Sequence, residues 1–224
     1  MREIVLDTET TGLDPKDGHR VVEIACLELS NHIPTGRHYQ VYLNPERDMP
    51  AEASAIHGLT TQFLADKPRF GEVVEKFLEF VSDAPLVIHN AEFDMRFLNA
   101  ELTRAGKSGL DYTRAVDTLL LARQKFPGAP ASLDALCKRF AIDNSARNFH
   151  GALLDVELLA SVYLELIGGR QAGLELVASR SRAQTLSVIG VRQLRPPRPH
   201  AASEAELAAH AELLKQIAEP IWNA

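Results

Sequence analysis

Basic charge is scarce in this chain. Its 24 lysines and arginines stand against 30 aspartates and glutamates, a formal net charge of −6 over 224 residues. A protein that grips nucleic-acid backbone without selectivity is ordinarily basic, so any nucleic-acid contact here should be small or delivered by a partner. Cysteine is scarcer still. Cys26 and Cys137 sit in apolar-patterned segments and read as small core residues, with nothing to suggest a disulfide framework. That excludes a disulfide-stapled scaffold and favours a reducing cytoplasm. No apolar run approaches the length needed to span a membrane. The chain also reaches Asp7 before any run of signal-peptide length, which argues against secretion. There is no internal repeat, and the only tryptophan, Trp222, lies near the C-terminus. With 46% hydrophobic and 24% charged residues, the composition fits one ordinary soluble domain with room for an appendage.

The element pattern is that of an α/β fold. Residues from Arg2 to about Glu9 read as a buried strand, and Val21 to Leu29 as a second. A third runs from His38 to Leu43, with Tyr39, Val41 and Leu43 on one face. Short connections make these an antiparallel meander. The period then changes. A short helical turn spans Pro50 to Gly58, and a longer helix Phe70 to Val81 with Val73, Val74, Phe77, Leu78 and Val81 as its apolar stripe. Leu86-Val87-Ile88 is a very short strand, followed by a helix that starts near Phe93 and reaches Gly106. A fifth strand lies near Arg114 to Val116. Asp117 and Ser132 are placed to cap the next two helices, and a last core helix runs from about Gly151 to Ile167. The expected core is a mixed five-stranded sheet flanked by helices over residues 1–169. Residues 170–202 are polar, basic and Pro-rich around Arg195-Pro196-Pro197-Arg198-Pro199, the composition of an extended linker. Residues 203–224 regain helical character as a tail.

Chemistry concentrates in three stretches. In Asp7-Thr8-Glu9 two carboxylates project from one strand face, because side chains two apart share a face. Unpaired carboxylates side by side repel, and a divalent cation removes that cost; hard oxygens suit Mg²⁺ or Mn²⁺ better than Zn²⁺. Asp94 lies in the first turn of a helix just after a strand, where it can face the end of the first strand. Asp155 flanks the apolar stripe of the last core helix, and an acid at that margin needs a partner. Gly151 leaves His150 on the loose entry to the same helix.

These stretches, in this order, resemble the three motifs of the DEDDh superfamily of 3′→5′ exonucleases, which have a ribonuclease H-like fold. Phrases such as Ile56-His57-Gly58, Val87-Ile88-His89-Asn90-Ala91, Ser132-Leu133-Asp134-Ala135-Leu136-Cys137 and His150-Gly151-Ala152-Leu153-Leu154-Asp155 are similar to the epsilon, or proofreading, subunits of bacterial DNA polymerase III. The resemblance covers residues 1–169, fades in the linker and returns weakly at the tail. It implies that Asp7, Glu9, Asp94 and Asp155 hold two divalent cations, Mg²⁺ or Mn²⁺, and that His150 is the general base. It further implies that Asp7, Glu9, Glu52, His57 and Asp155 contact the terminal nucleotide, with the threonines, Gly12 and Leu13 lining the same pocket and Phe93 stacking on a base. The implied partners are a single-stranded or frayed DNA 3′ terminus, the alpha subunit of DNA polymerase III, a sliding clamp and a small theta-like subunit, at a cytoplasmic replisome. Gln171, Leu174 and Leu176 match a clamp-docking pattern, and Trp222 is the expected anchor of the tail on the polymerase. A stand-alone exonuclease that trims RNA or short oligonucleotides would share every catalytic residue, and an adaptor without activity would share the fold.

Overall fold

The computed structural model describes residues 1–145, 151–169 and 201–217. His150, Gln171, Leu174, Leu176 and Trp222 lie outside them. The chain divides into two units, Met1–Leu174 and Glu175–Ala224. The first unit is built on one five-stranded sheet of order β3-β2-β1-β4-β5. Its strands are β1 (Arg2–Thr10), β2 (Val21–Ser30), β3 (Ile33–Tyr42), β4 (Leu86–Ile88) and β5 (Ala115–Asp117). The meander β1–β2–β3 is antiparallel, whereas β4 pairs parallel to β1 and β5 parallel to β4.

Alternation along β1 divides the core in two. Ile4 and Leu6 face a cluster formed with α3 (Phe70–Val81) and α4 (Ala91–Arg104). Val5 faces a cluster formed with α5 (Thr118–Lys125), α6 (Leu133–Arg139) and α7 (Ala152–Leu166). Helices therefore cover both faces, as a sheet with apolar residues on both sides requires. Two short helices, α1 (Ala51–His57) and α2 (Thr61–Leu64), lie between β3 and α3. The α3 and β4 bounds coincide with those expected from the apolar pattern.

Two differences from the sequence expectation have physical causes. β3 begins at Ile33 rather than His38. Its first six residues are exposed at the sheet edge and include Pro34 and Gly36, so they carry no alternation to read. α2 is a single turn capped by the Thr60 side chain, which accepts from the Phe63 amide; one turn is too short for periodicity to show. Cys26 and Cys137 are both free and buried, one in each cluster.

In the second unit, α8 (Glu204–Lys215) carries a capping box from Ser203 and Glu206, and Leu207 and Leu213 on it are exposed. Among the described residues no helix is long and apolar enough to cross a membrane.

Candidate metal centre and nucleotide cleft

β1 carries the site at its C-terminal end. Asp7 and Glu9 follow Val5 on the face covered by α7, and α7 packs across β1 and β2. Asp155, in the first turn of α7, is buried and points back at that strand end. One ligand atom from each of Asp7, Glu9 and Asp155 lies within 4.8 Å of the others.

Asp94 comes from the opposite face of the sheet, in the first turn of α4, and stands beside this trio. It is buried, and its Oδ1 accepts from the Thr8 amide at 3.0 Å and the Thr8 hydroxyl at 2.7 Å. α4 itself is held by Asp117. That carboxylate accepts from the amides of Asn90 and Ala91 at the start of α4, and of Leu119 and Leu120 at the start of α5. Asn90, the residue before α4, has φ +65°; asparagine tolerates this left-handed backbone better than most residues.

Electrostatics mark the place. Desolvation, then Asp94, Glu9, Asp155 and Glu23, push the Asp7 carboxyl well above its ordinary range. Burial pushes Asp94 up to about 7, with the Thr8 hydrogen bonds acting against it. Carboxylates gathered this closely, and this poorly solvated, resist ionisation unless positive charge joins them. Oxygen-only donors at this spacing fit a hard divalent cation.

Beside the acids lies a cleft of about 540 Å³, lined by Glu9, Leu13, Glu52, His57 and Phe93 among others. Thr10, Thr11 and Gly12 also line it, as the sequence suggested. Glu52 and Leu13 are exposed at its rim, and Phe93 is half-buried. His57 is buried at the end of α1, where its Nδ1 also accepts from the Leu59 amide at 3.1 Å. It is both a helix-end cap and part of the cleft wall.

Three features were not read from the sequence. The His19 ring packs into the space where a Cβ on Gly12 would lie, 2.3 Å from it, so any larger residue at 12 has to displace that ring. Arginines from elsewhere in the fold hold that turn: Arg96 donates to the Leu13 carbonyl, Arg104 to that of Pro15 and Arg47 to that of Gly18. Glu23, on β2, is buried on the same face as Asp7 and Glu9. Its signal was available, since it is a lone charge inside the apolar run Val21-Val22-Glu23-Ile24-Ala25.

Comparison with known proteins decides the family. The exonuclease family model matches residues 4–163. DNA polymerase III subunit epsilon of Rickettsia prowazekii is 49% identical over 222 residues, covering 97% of each chain. The Escherichia coli subunit of the same name is 40% identical over 238 residues, covering 100% of this chain and 98% of that one.

The chain belongs to the DNA polymerase III epsilon family of exonucleases.

Solved structures agree with this placement. Exonuclease X in complex with 5′ overhanging duplex DNA superposes with a TM-score of 0.58 at 27% identity, over 73% of this chain and 90% of that one. The nuclease domain of 3′hExo, a DEDDh family member bound to rAMP, gives 0.65 over 74% and 91% of the two chains. Its identity is 17%, and it shows the ribonuclease H-like fold alone. As an epsilon-family member the chain is a 3′→5′ exonuclease, an enzyme class that depends on divalent metal ions.

Proposed function

We propose that Asp7, Glu9 and Asp155, joined by Asp94, hold Mg²⁺ or Mn²⁺ and that the chain removes mispaired nucleotides from a DNA 3′ end as the editing subunit of a replicative polymerase. The observation that carries this reading is the meeting of Asp7, Glu9 and Asp155 within 4.8 Å, beside a cleft of about 540 Å³. Bound cations supply Lewis-acid stabilisation of charge on the scissile phosphate and a more acidic water. The chain's own residues do the rest. His150, two residues before α7 in the sequence, accepts the attacking water's proton on an imidazole nitrogen, histidine being the side chain most often used as a general base. Glu52 and His57 hold the terminal nucleotide, Phe93 offers a face for its base, and Leu13 bounds it at the rim. The product is a nucleoside 5′-monophosphate.

The acidic balance fits such a role. An enzyme that grips a few terminal nucleotides needs little basic surface, and a mismatched end frays more readily than a paired one. Similarity to epsilon subunits extends over 97% or more of the chain, past the residues that the exonuclease model matches, which favours a polymerase subunit over a stand-alone trimming enzyme. In this reading 1–169 is the nuclease, 170–202 a linker and 203–224 the polymerase-binding tail, working in the bacterial cytoplasm. Trp222 anchors the tail on the alpha subunit, Gln171, Leu174 and Leu176 dock on the sliding clamp, and a theta-like subunit is a further partner. The test is release of the terminal nucleotide from primers with matched and mispaired 3′ ends. Faster release from the mispaired end, abolished by chelation and reduced by His150→Ala, supports the reading; equal rates on both ends and on RNA favour a trimming enzyme.

A further inference from the structure

Glu23 lies outside the acid trio yet beside it. It is 2% exposed, and the register of β1 and β2 sets it directly across from Glu9. Like charges opposite one another weaken a strand pair, so an acid retained there needs compensation. Its two oxygens are used for different things. Oε1 accepts from Gln40 Nε2 on β3 at 2.7 Å, and the Tyr42 hydroxyl also bonds the carboxylate. Oε2 accepts from the amide of Ala152 at 3.3 Å.

Ala152 is the first residue of α7, and the residue before it is Gly151, which has no side chain to cap the helix. The first amides of a helix have no partner within it. A carboxylate supplied from β2 meets that need and favours the positive end of the helix dipole. One turn further along the same helix is Asp155, whose amide bonds the Gly151 carbonyl at 3.0 Å. The chain of contacts runs from Gln40 and Tyr42 on β3, through Glu23 on β2, to the helix that delivers Asp155.

We infer that Glu23 is a positioning residue, which docks the first turn of α7 on β2 and thereby sets Asp155 against Asp7 and Glu9. The inference rests on the proposal that those three acids hold the metal. Glu23 acts through the Ala152 amide and not as a further ligand. Residues that orient metal ligands commonly matter about 10- to 100-fold for affinity or activity.

The test uses the full chain and three variants: Glu23→Gln, Glu23→Ala and Asp7→Ala. Mn²⁺ affinity is measured by calorimetry, kcat and KM on a short oligonucleotide, and exchange of the Ala152 amide by NMR in the metal-free protein. Glu23→Gln keeps an oxygen for Ala152, and the Gln40 amide can turn over to match it. It should stay within about 3-fold of the parent in every readout. Glu23→Ala should lower Mn²⁺ affinity and kcat about 10-fold or more, leave KM nearly unchanged and speed Ala152 exchange. If Glu23→Ala does not fold, Gln40→Leu takes its place, with the same pattern at smaller amplitude. Equal losses in Glu23→Gln and Glu23→Ala would mean that the charge itself is used, and the positioning role falls. Unchanged Ala152 exchange and affinity in Glu23→Ala would also overturn it. Retained Mn²⁺ affinity in Asp7→Ala, by contrast, would count against the metal assignment and not against the docking of α7.

Discussion

Thr8 and Asp94 stand on different elements, 86 residues apart, and share one carboxylate oxygen: the Thr8 amide and hydroxyl both donate to Asp94 Oδ1. The cause lies in the sheet. β1 runs to Thr10, whereas its parallel neighbour β4 ends at Ile88. Near the start of β1, Ile4 donates its amide to Pro85 on that side. Thr8, of the same parity, lies beyond β4, and Asp94 takes the place of the missing strand. The end of a neighbouring strand thus creates the opening through which the fourth acid reaches the site.

Thr8→Val therefore removes one of two bonds to a buried carboxylate without changing shape. The expected cost is about 1–3 kcal/mol of stability, together with weaker metal binding. Chemical denaturation and Mn²⁺ calorimetry measure both. Stability equal to the parent would show that the hydroxyl contributes nothing to holding Asp94.

The raised acids predict a pH dependence of a definite sign. Asp94 ionises near 7 in the fold against an ordinary 3.8. An acid whose folded value is raised favours the folded state while protonated. The contribution of Asp94 to the stability of the metal-free protein should therefore fall from about pH 4 to about pH 7, and the raised Asp7 acts in the same direction. Divalent cations should raise the melting temperature more at pH 8 than at pH 5. Melting curves across pH, with chelator and with Mg²⁺, give the answer; a metal-free protein that gains stability over this interval would contradict the buried-acid account.

Glu28 has the opposite sign. Arg2, Thr35 and Arg37 hold its carboxyl below the ordinary 4.5. Its contribution is present above that value and is lost as the pH falls through the lowered one. Arg2 also donates to the Phe80 and Val81 carbonyls, so this pair ties β1 and β2 to the end of α3. Glu28→Gln should cost no more than about 1 kcal/mol at neutral pH and flatten the stability curve below pH 4.5. The acid-denaturation profile of the variant checks this.

Deleting residues 203–224 should abolish stable association with the polymerase alpha subunit and leave the nuclease rate on short single strands unchanged. The exposed Leu207 and Leu213 on α8, and Trp222 beyond it, are the anchors this expectation uses. An isolated helix of this length is marginal in water, which suits a segment that orders on a partner. Co-purification and single-strand digestion measure the two halves, and retained co-purification would remove the tail as the main tether.

Much of this was legible before any coordinates. Asp7 and Glu9 are legible as a carboxylate pair at the end of an apolar strand, but as candidate metal ligands only once the later stretches add Asp94 and Asp155. Phe70–Val81 is legible from one clean apolar stripe. Asp94 and Asp155 are legible as acids in helix first turns, but only together with the first pair. Glu23 carries no comparable signal of its place, because it interrupts an apolar run without breaking it, and only the pairing of β1 with β2 sets it opposite Glu9. The arginines that hold the Leu13–Gly18 turn were not legible either, since each reaches it from a distant point of the chain. Such contacts are products of topology and leave no local pattern.

The central claim is that Asp7, Glu9, Asp94 and Asp155 act as one metal-holding unit in a 3′→5′ exonuclease. Its most direct test is Mg²⁺-dependent release of nucleoside 5′-monophosphate from a 3′-labelled DNA strand by the parent, Asp7→Asn, Asp155→Asn and the double variant. Each single change should lower the rate on the order of 10³-fold or more while melting stays cooperative, and the double variant should be little worse than either alone. A single variant that keeps more than about a tenth of the parent rate, or losses that multiply in the double variant, would contradict the account.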